Sequence, residues 1–75
     1  MNFQEFPDSS NIEKVGYDEK TQILGVTFKG TSAGKLYLYP GVPQNVHQEF
    51  VKAESVGSFF SSRIKDSYDH TQVTL

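Results

Sequence analysis

The 75-residue chain predicts a two-layer α+β domain: a three-stranded antiparallel meander followed by two helices packed on one face, with a short C-terminal strand as an option for the tail. Three observations carry that prediction. Leu24, Val26 and Phe28 alternate at every second residue, and Tyr37 and Tyr39 do the same, as half-buried strands require. Pro43 opens a stretch of helix-tolerant residues in which Val46, Phe50 and Ala53 share a face. Val56, Phe60, Ile64 and Tyr68 then recur at steps of four, with Phe59 widening the stripe, and mark a second helix.

In chain order, Phe3, Phe6 and Pro7 lead into Asp8-Ser9-Ser10-Asn11, a polar cluster with the composition of a turn. The first strand runs from Ile12 to Tyr17. Its Ile12 and Val15 fall on opposite parities, which calls for two covered faces or for a bulge near Gly16. Asp18 to Gln22 supplies a polar hairpin connection, Ile23 to Lys29 the second strand, Gly30-Thr31-Ser32-Ala33-Gly34 a flexible turn, and Lys35 to Tyr39 the third strand. Helix-tolerant residues continue from Gln44 to Glu54, and Ser55-Val56-Gly57 interrupts them before the second helix. The tail His70 to Leu75 alternates again and reads as a fourth strand or a frayed end. The whole chain is one domain, with residues 1–8 and 70–75 as flexible or partner-contacting ends.

Tyrosines that face the helices leave Ile23, Leu36 and Leu38 together on the outer face of the sheet. So many apolar residues there call for cover, either from a second protomer or from Phe3 and Phe6 at the start of the chain. A chain of this size hides only about 60% of its unfolded surface on folding, so a small homo-oligomer is expected. The six Phe and four Tyr must supply the core, because there is no Cys to form a disulfide framework or a thiolate metal site.

The formal charge of −2 argues against a protein that holds duplex DNA by electrostatics, since each phosphate contact needs a cation. No apolar run reaches membrane-spanning length, and Met1 to Pro7 lacks a basic segment followed by an apolar core. A cytoplasmic protein without membrane contact is therefore expected.

Several motifs invite a chemical reading and fail it. Gly30 to Lys35 resembles a phosphate-binding P-loop, but only three residues separate its glycines, Leu36 follows the lysine, and a strand comes next. His47 and His70 have no second strong ligand at helical spacing, so no metal site is expected, and His47 reads as a solvated helix residue. The serines lack the strained turn of a nucleophile elbow. Asp18 and Glu19 lie in a polar turn, with Asp66 and Asp69 near a helix end, and nothing there predicts a raised pKa. The expectation is a protein that is not an enzyme and needs no cofactor.

Binding chemistry is better represented. Tyr37 and Tyr39 serve either as core residues or as a platform on which a flat ligand stacks. The two roles are compatible where a ring packs inward while its hydroxyl opens on a cleft. Tyr17, Lys35 and Arg63 join them as amphipathic or basic groups expected near the same edge. Ser9, Ser10 and Asn11 can offer side chains and backbone amides to phosphate, or can cap their own turn.

Ser9-Ser10-Asn11-Ile12, Gly16-Tyr17-Asp18, the alternating Leu24, Val26 and Phe28, Tyr37-x-Tyr39, Gly41-Val42-Pro43, Ala53-x-Ser55-x-Gly57, and Phe60, Ile64 and Tyr68 together resemble the KTSC domain. That short module is named for its occurrence at the carboxyl end of some lysyl-tRNA synthetases, and it also exists as a free-standing bacterial or phage protein. The resemblance covers most of the chain. It implies no established activity, and RNA binding only as a suggestion. The chain departs from the family in a longer Gly30 to Gly34 turn, in Ser61 where asparagine is common, and in Leu38 where the family often has a polar residue.

The expected function is a non-catalytic binding module for a nucleotide-containing ligand. That ligand is either a free nucleotide, for instance a sequestered signalling nucleotide, or a short single-stranded RNA. Tyr37, Tyr39 or Tyr17 would hold a base, while Lys35, Arg63 and the Ser9 to Asn11 amides would meet phosphate. The alternative is a protein-interaction module that docks through Ile23, Leu36 and Leu38, with the tyrosines purely structural.

Overall fold

The computed structural model describes residues 1–30 and 33–75; of the predicted Gly30 to Gly34 turn, Thr31 and Ser32 lie outside the described residues. Five strands, β1 (Asn2–Glu5), β2 (Ile12–Asp18), β3 (Ile23–Phe28), β4 (Lys35–Tyr39) and β5 (Thr71–Thr74), form one sheet in the order of the sequence. Every neighbouring pair is antiparallel. Between β4 and β5 the chain forms α1 (Gln44–Lys52) and α2 (Val56–Phe59), which runs directly into a π-helical turn, Phe60–Ile64. The α+β class is as the sequence predicts.

The meander, however, has five strands rather than three. At the carboxyl end the alternation of Val73 among polar residues does become a strand, paired with β4 through Leu36↔Val73 and Tyr37↔Gln72. At the amino end Asn2–Glu5 pairs with β2, although it carries a single large apolar residue, Phe3. The partner strand supplies the reason. Phe3 lies opposite Gly16, which lies opposite Gly25, so two bare glycines make a saddle on the outer face of the sheet. A Cβ on Gly16 would stand 2.8 Å from both the Met1 Cγ and a Phe3 ring carbon, and one on Gly25 would stand 2.9 Å from the Met1 sulfur. The amino terminus therefore fills a seat that any larger residue would close.

Of Phe3 and Phe6, the two residues at the start of the chain expected to lie over the outer face, only Phe3 is there. Met1 and Phe3 lie across the glycine saddle against Leu36, whereas Phe6 packs with the core on the helix side. Cover is partial, because Met1, Phe3 and Val73 stay more than a third exposed. Thr27, on the same face, is buried and donates its hydroxyl to Glu13 Oε1 at 2.9 Å.

The bulge in β2 sits between Ile12 and Lys14, ahead of the Gly16 position that parity suggested. One extra residue at Glu13 returns Val15 to the face that Ile12 already occupies, and both are fully buried. Leu24, Val26, Tyr39, Val42, Phe50, Val56, Phe60 and Ile64 complete the core between sheet and helices.

Pro43 stands at the N-cap of α1, and the only fully buried residue of that helix is Phe50. Ser55 caps α2, accepting a hydrogen bond from the Ser58 amide at 3.2 Å. The steps of four in Val56, Phe60 and Ile64 explain the widened turn that follows. At about 100° per residue an α-helix would carry such positions steadily round its axis, by roughly 40° per step. The Lys65 amide instead donates five residues back, to the Phe60 carbonyl at 2.8 Å, and all three side chains remain in the core.

Candidate functional site

Tyr37 and Tyr39 project from β4 toward the helix layer, as the alternation requires. Phe28 comes to them from β3 and Phe60 from the π turn. The Phe28 and Tyr37 rings meet edge to face at 5.3 Å, Phe28 and Phe60 at 5.1 Å, and Tyr39 and Phe60 at 5.7 Å. These four rings, with Lys65 and His70, line a cleft of about 240 Å³. Lys65 closes the π turn and His70 stands just before β5, so two departures from the simplest reading of the chain build the rim.

The His70 imidazole is exposed and lies over both tyrosines, 5.5 Å from the Tyr37 ring at 49° and 5.4 Å from the Tyr39 ring at 38°. Tyr39 is only 3% exposed, and burial, with the Tyr37 hydroxyl adding to it, pushes its phenol up to about 12. The cleft thus presents a wall that stays protonated at physiological pH. With Lys65 it offers apolar ring surface beside a single full positive charge.

The structure brings only part of the predicted set together. Tyr37 and Tyr39 share the cleft. Lys35 lies on the same face of β4, two residues before Tyr37, but does not line it. Tyr17 is elsewhere: the row Tyr17↔Leu24↔Tyr39 places fully buried Leu24 between the two tyrosines. Its hydroxyl donates to the Val42 carbonyl at 2.5 Å, and its ring stacks on His47 at 4.6 Å and 8°. Burial, joined by the carboxylates of Glu19 and Asp18, raises the Tyr17 phenol.

His47 is a correction to the solvated helix residue that its own element suggested. It is half-buried against Tyr17, and burial lowers its pKa while Glu19 acts in the opposite direction. Arg63 is occupied outside the cleft as well. Its guanidinium lies 3.8 Å from Glu49 and 5.0 Å from the centroid of the Phe59 ring.

Ser9, Ser10 and Asn11 line a second and larger cleft of about 420 Å³, together with Glu5, Asp8, Glu54 and Ser55. Local bonds consume much of their polar capacity. The Ser9 amide donates to the Phe6 carbonyl at 3.1 Å, and the Ile12 amide to Ser9 Oγ at 3.1 Å. Lys29, the residue after β3, donates its ammonium to the carbonyls of Phe6, Pro7 and Ser9 and so braces the turn. The Asn11 side chain rests on Gly57, where a Cβ would meet Asn11 Oδ1 at 2.5 Å. Turn capping and loop docking account for Ser9 and Asn11, Ser10 is exposed, and the acids beside them disfavour phosphate.

Phe28, Phe60, Lys65 and His70 were outside the predicted ligand-binding set. Phe60 had a signal, in the four-residue spacing that yields the π turn. His70 had none beyond the alternation of the tail that follows it. Ile23, Leu36 and Leu38 are all half-buried, and Leu36 and Leu38 share the outer face with Phe3 and Val73. Among the described residues no group of three or more His, Cys, Asp and Glu is placed to hold a metal, and no helix is long and apolar enough to cross a membrane.

Comparison with known proteins adds a consistent set of likenesses. The KTSC domain model matches residues 8–68. A protein from Tsukamurella paurometabola is 41% identical over 61 residues, which cover 81% of this chain and 87% of that one. A lysine–tRNA ligase from Nostoc punctiforme is 32% identical over 68 residues, 91% of this chain but 12% of the ligase. The crystal structure of a KTSC domain protein from Yersinia pestis superposes with a TM-score of 0.87 at 33% identity, covering 96% of both chains.

Proposed function

This chain belongs to the KTSC domain family, and from that premise we propose that it is a non-catalytic module that binds a nucleotide-containing ligand at the Tyr37–Tyr39 cleft. What supports the reading is four aromatic rings around about 240 Å³, with Lys65 and His70 at the rim. Base stacking on aromatic side chains contributes about 1–3 kcal/mol per base and tolerates an acidic protein, whereas a long cationic groove would not. The ligand is a free nucleotide, such as a sequestered signalling nucleotide, or a short single-stranded RNA. The net charge of −2 favours the first. A relative whose matching segment lies in a lysine–tRNA ligase favours the second. Duplex DNA and membrane surfaces are poor partners for this charge and shape, and a cytoplasmic location suits a nucleotide ligand.

Titration of the purified chain with a nucleotide panel and short RNA, read by thermal shift, tests the proposal. A true ligand at about a hundred times its Kd adds roughly 2.7 kcal/mol to stability and raises the melting temperature. A flat response across the panel defeats the reading, and turnover of any bound nucleotide would make the protein an enzyme.

One observation favours a second reading, a protein-interaction module or homo-oligomer built on the outer sheet face. Phe3 and Val73 remain exposed beside Leu36 and Leu38, a concentration of apolar surface that the amino terminus covers only in part. Leu38→Glu should then reduce the mass measured by light scattering, and an unchanged mass would remove that interface.

A further inference from the structure

A ring seated on both Tyr37 and Tyr39 would have its centre about 4.5–7 Å from each of theirs. The His70 ring is there already, at 5.5 Å and 5.4 Å. It is a flat nitrogen heterocycle, it is exposed, and it leans at 49° and 38° rather than lying parallel to either partner. Nothing about that pose resembles the parallel stack of His47 on Tyr17 at 8°.

Building on the nucleotide reading of this cleft, on which the inference rests, we propose that His70 is a displaceable stand-in for the ligand: one nucleobase of a nucleotide unit takes the place of its imidazole over Tyr37 and Tyr39, with the phosphate directed to Lys65. Size sets the number of bases. The seat that His70 occupies is bounded by two tyrosine rings, 5.5 Å and 5.4 Å from the imidazole centre, which is the span of one planar ring system, and the adjoining cleft of about 240 Å³ receives its sugar. Charge sets the number of phosphates, because Lys65 is the one lysine or arginine among the lining residues. The Tyr39 phenol, buried in the wall, supplies a hydrogen-bond donor for a base edge. His70 can yield without disturbing the fold, since it is an exposed side chain on the segment between the π turn and β5.

The test uses the full chain and two substitutions at one position, with calorimetric titration of adenosine and uridine 5′-monophosphates and of a single-stranded hexanucleotide. His70→Ala vacates the seat, so binding of at least one probe should tighten about two- to tenfold, the size of a single aromatic contact. His70→Trp fills the seat with a larger ring, and binding should weaken by a similar factor. In the unsubstituted protein the His70 ring protons should lose their upfield ring-current shift as the same probe is added. A gain confined to the monophosphates assigns the free nucleotide, and an equal gain on the hexanucleotide assigns the strand. If a probe binds the unsubstituted protein and His70→Ala binds it equally or less well, His70 is a wall of the site and the stand-in proposal is overturned while the nucleotide reading survives. If no probe binds either protein, both fall together.

Discussion

At Tyr17 and His47 two rings lie 4.6 Å apart and 8° from parallel, whereas across Leu24 the His70 ring leans over Tyr37 and Tyr39 at 5.4–5.5 Å and 38–49°. The residue types are the same and the duties differ. His47 is carried by a nine-residue helix, and Tyr17 is tied by its hydroxyl to Val42, whose own amide bonds the Gln22 carbonyl at 3.0 Å. Every part of that pair is held by a second element. His70 instead hangs from the approach to an edge strand and meets two rings without aligning with either. A pair fixed at both ends stabilises the fold, and a pair fixed at one end leaves room for exchange.

Five measurements probe this difference between the tied and the loose rings. The greatest change belongs to Tyr17→Ala, which removes a stacked ring and an anchoring hydroxyl and should cost about 2–4 kcal/mol in denaturant unfolding; a loss below about 1 kcal/mol would place that pair with the loose one. Next comes the alkaline limb. The Tyr39 phenol is pushed up to about 12, above the ordinary value of 10.0, so the unfolded chain releases its proton first. This contribution is thus complete below pH 10 and is lost as pH rises toward 12, and ultraviolet titration should show a phenolate near pH 12 that Tyr39→Phe abolishes. Tyr17→Phe keeps the ring and deletes the bond to Val42, for a loss of about 1 kcal/mol.

The fourth effect is acid-dependent. Burial lowers the His47 pKa, so in acid the unfolded chain takes up a proton more readily than the folded chain. The contribution is present above about pH 6.5 and shrinks below it; His47→Gln should flatten the dependence of the unfolding midpoint on pH between about 7 and about 5. Last is His70→Ala, expected within about 0.5 kcal/mol of the unsubstituted protein in stability. A larger loss would mean that the exposed ring is structural after all.

Legibility in the sequence follows the range of the interactions. Alternation along β3 and β4 reports a face that each strand shows by itself, so it places Leu24, Val26, Tyr37 and Tyr39 on the helix side, where the structure has them. It misses β1, whose pattern is incomplete without Gly16 and Gly25, residues on other strands that receive Phe3 and Met1. The same reason hides the role of His47. Judged on its own helix it faces water, and only the strand bearing Tyr17 changes that. Of the six lining residues the two tyrosines are visible as site residues, and Phe28 is visible on their face through the alternation of β3. The other three depend on a helical turn that widens at Phe60 and on the edge pairing of β5, which sets the position of His70 beside rings far along the chain. Ser9, Ser10 and Asn11 stand out as a polar cluster, but their neighbours Glu5, Asp8 and Glu54 come together only in the folded chain.

The hydrogen bond from the Lys65 amide to the Phe60 carbonyl spans one residue more than an α-helical bond does. Deleting one of residues 61 to 63 would restore an ordinary α-helical bond between the same two groups, so the lysine would keep its place beside the rings. The wide turn thus absorbs one residue of chain length: an alignment gap here would leave the charge at the aromatic rim, whereas a gap in a regular α-helical stretch would swing every later side chain by about 100°.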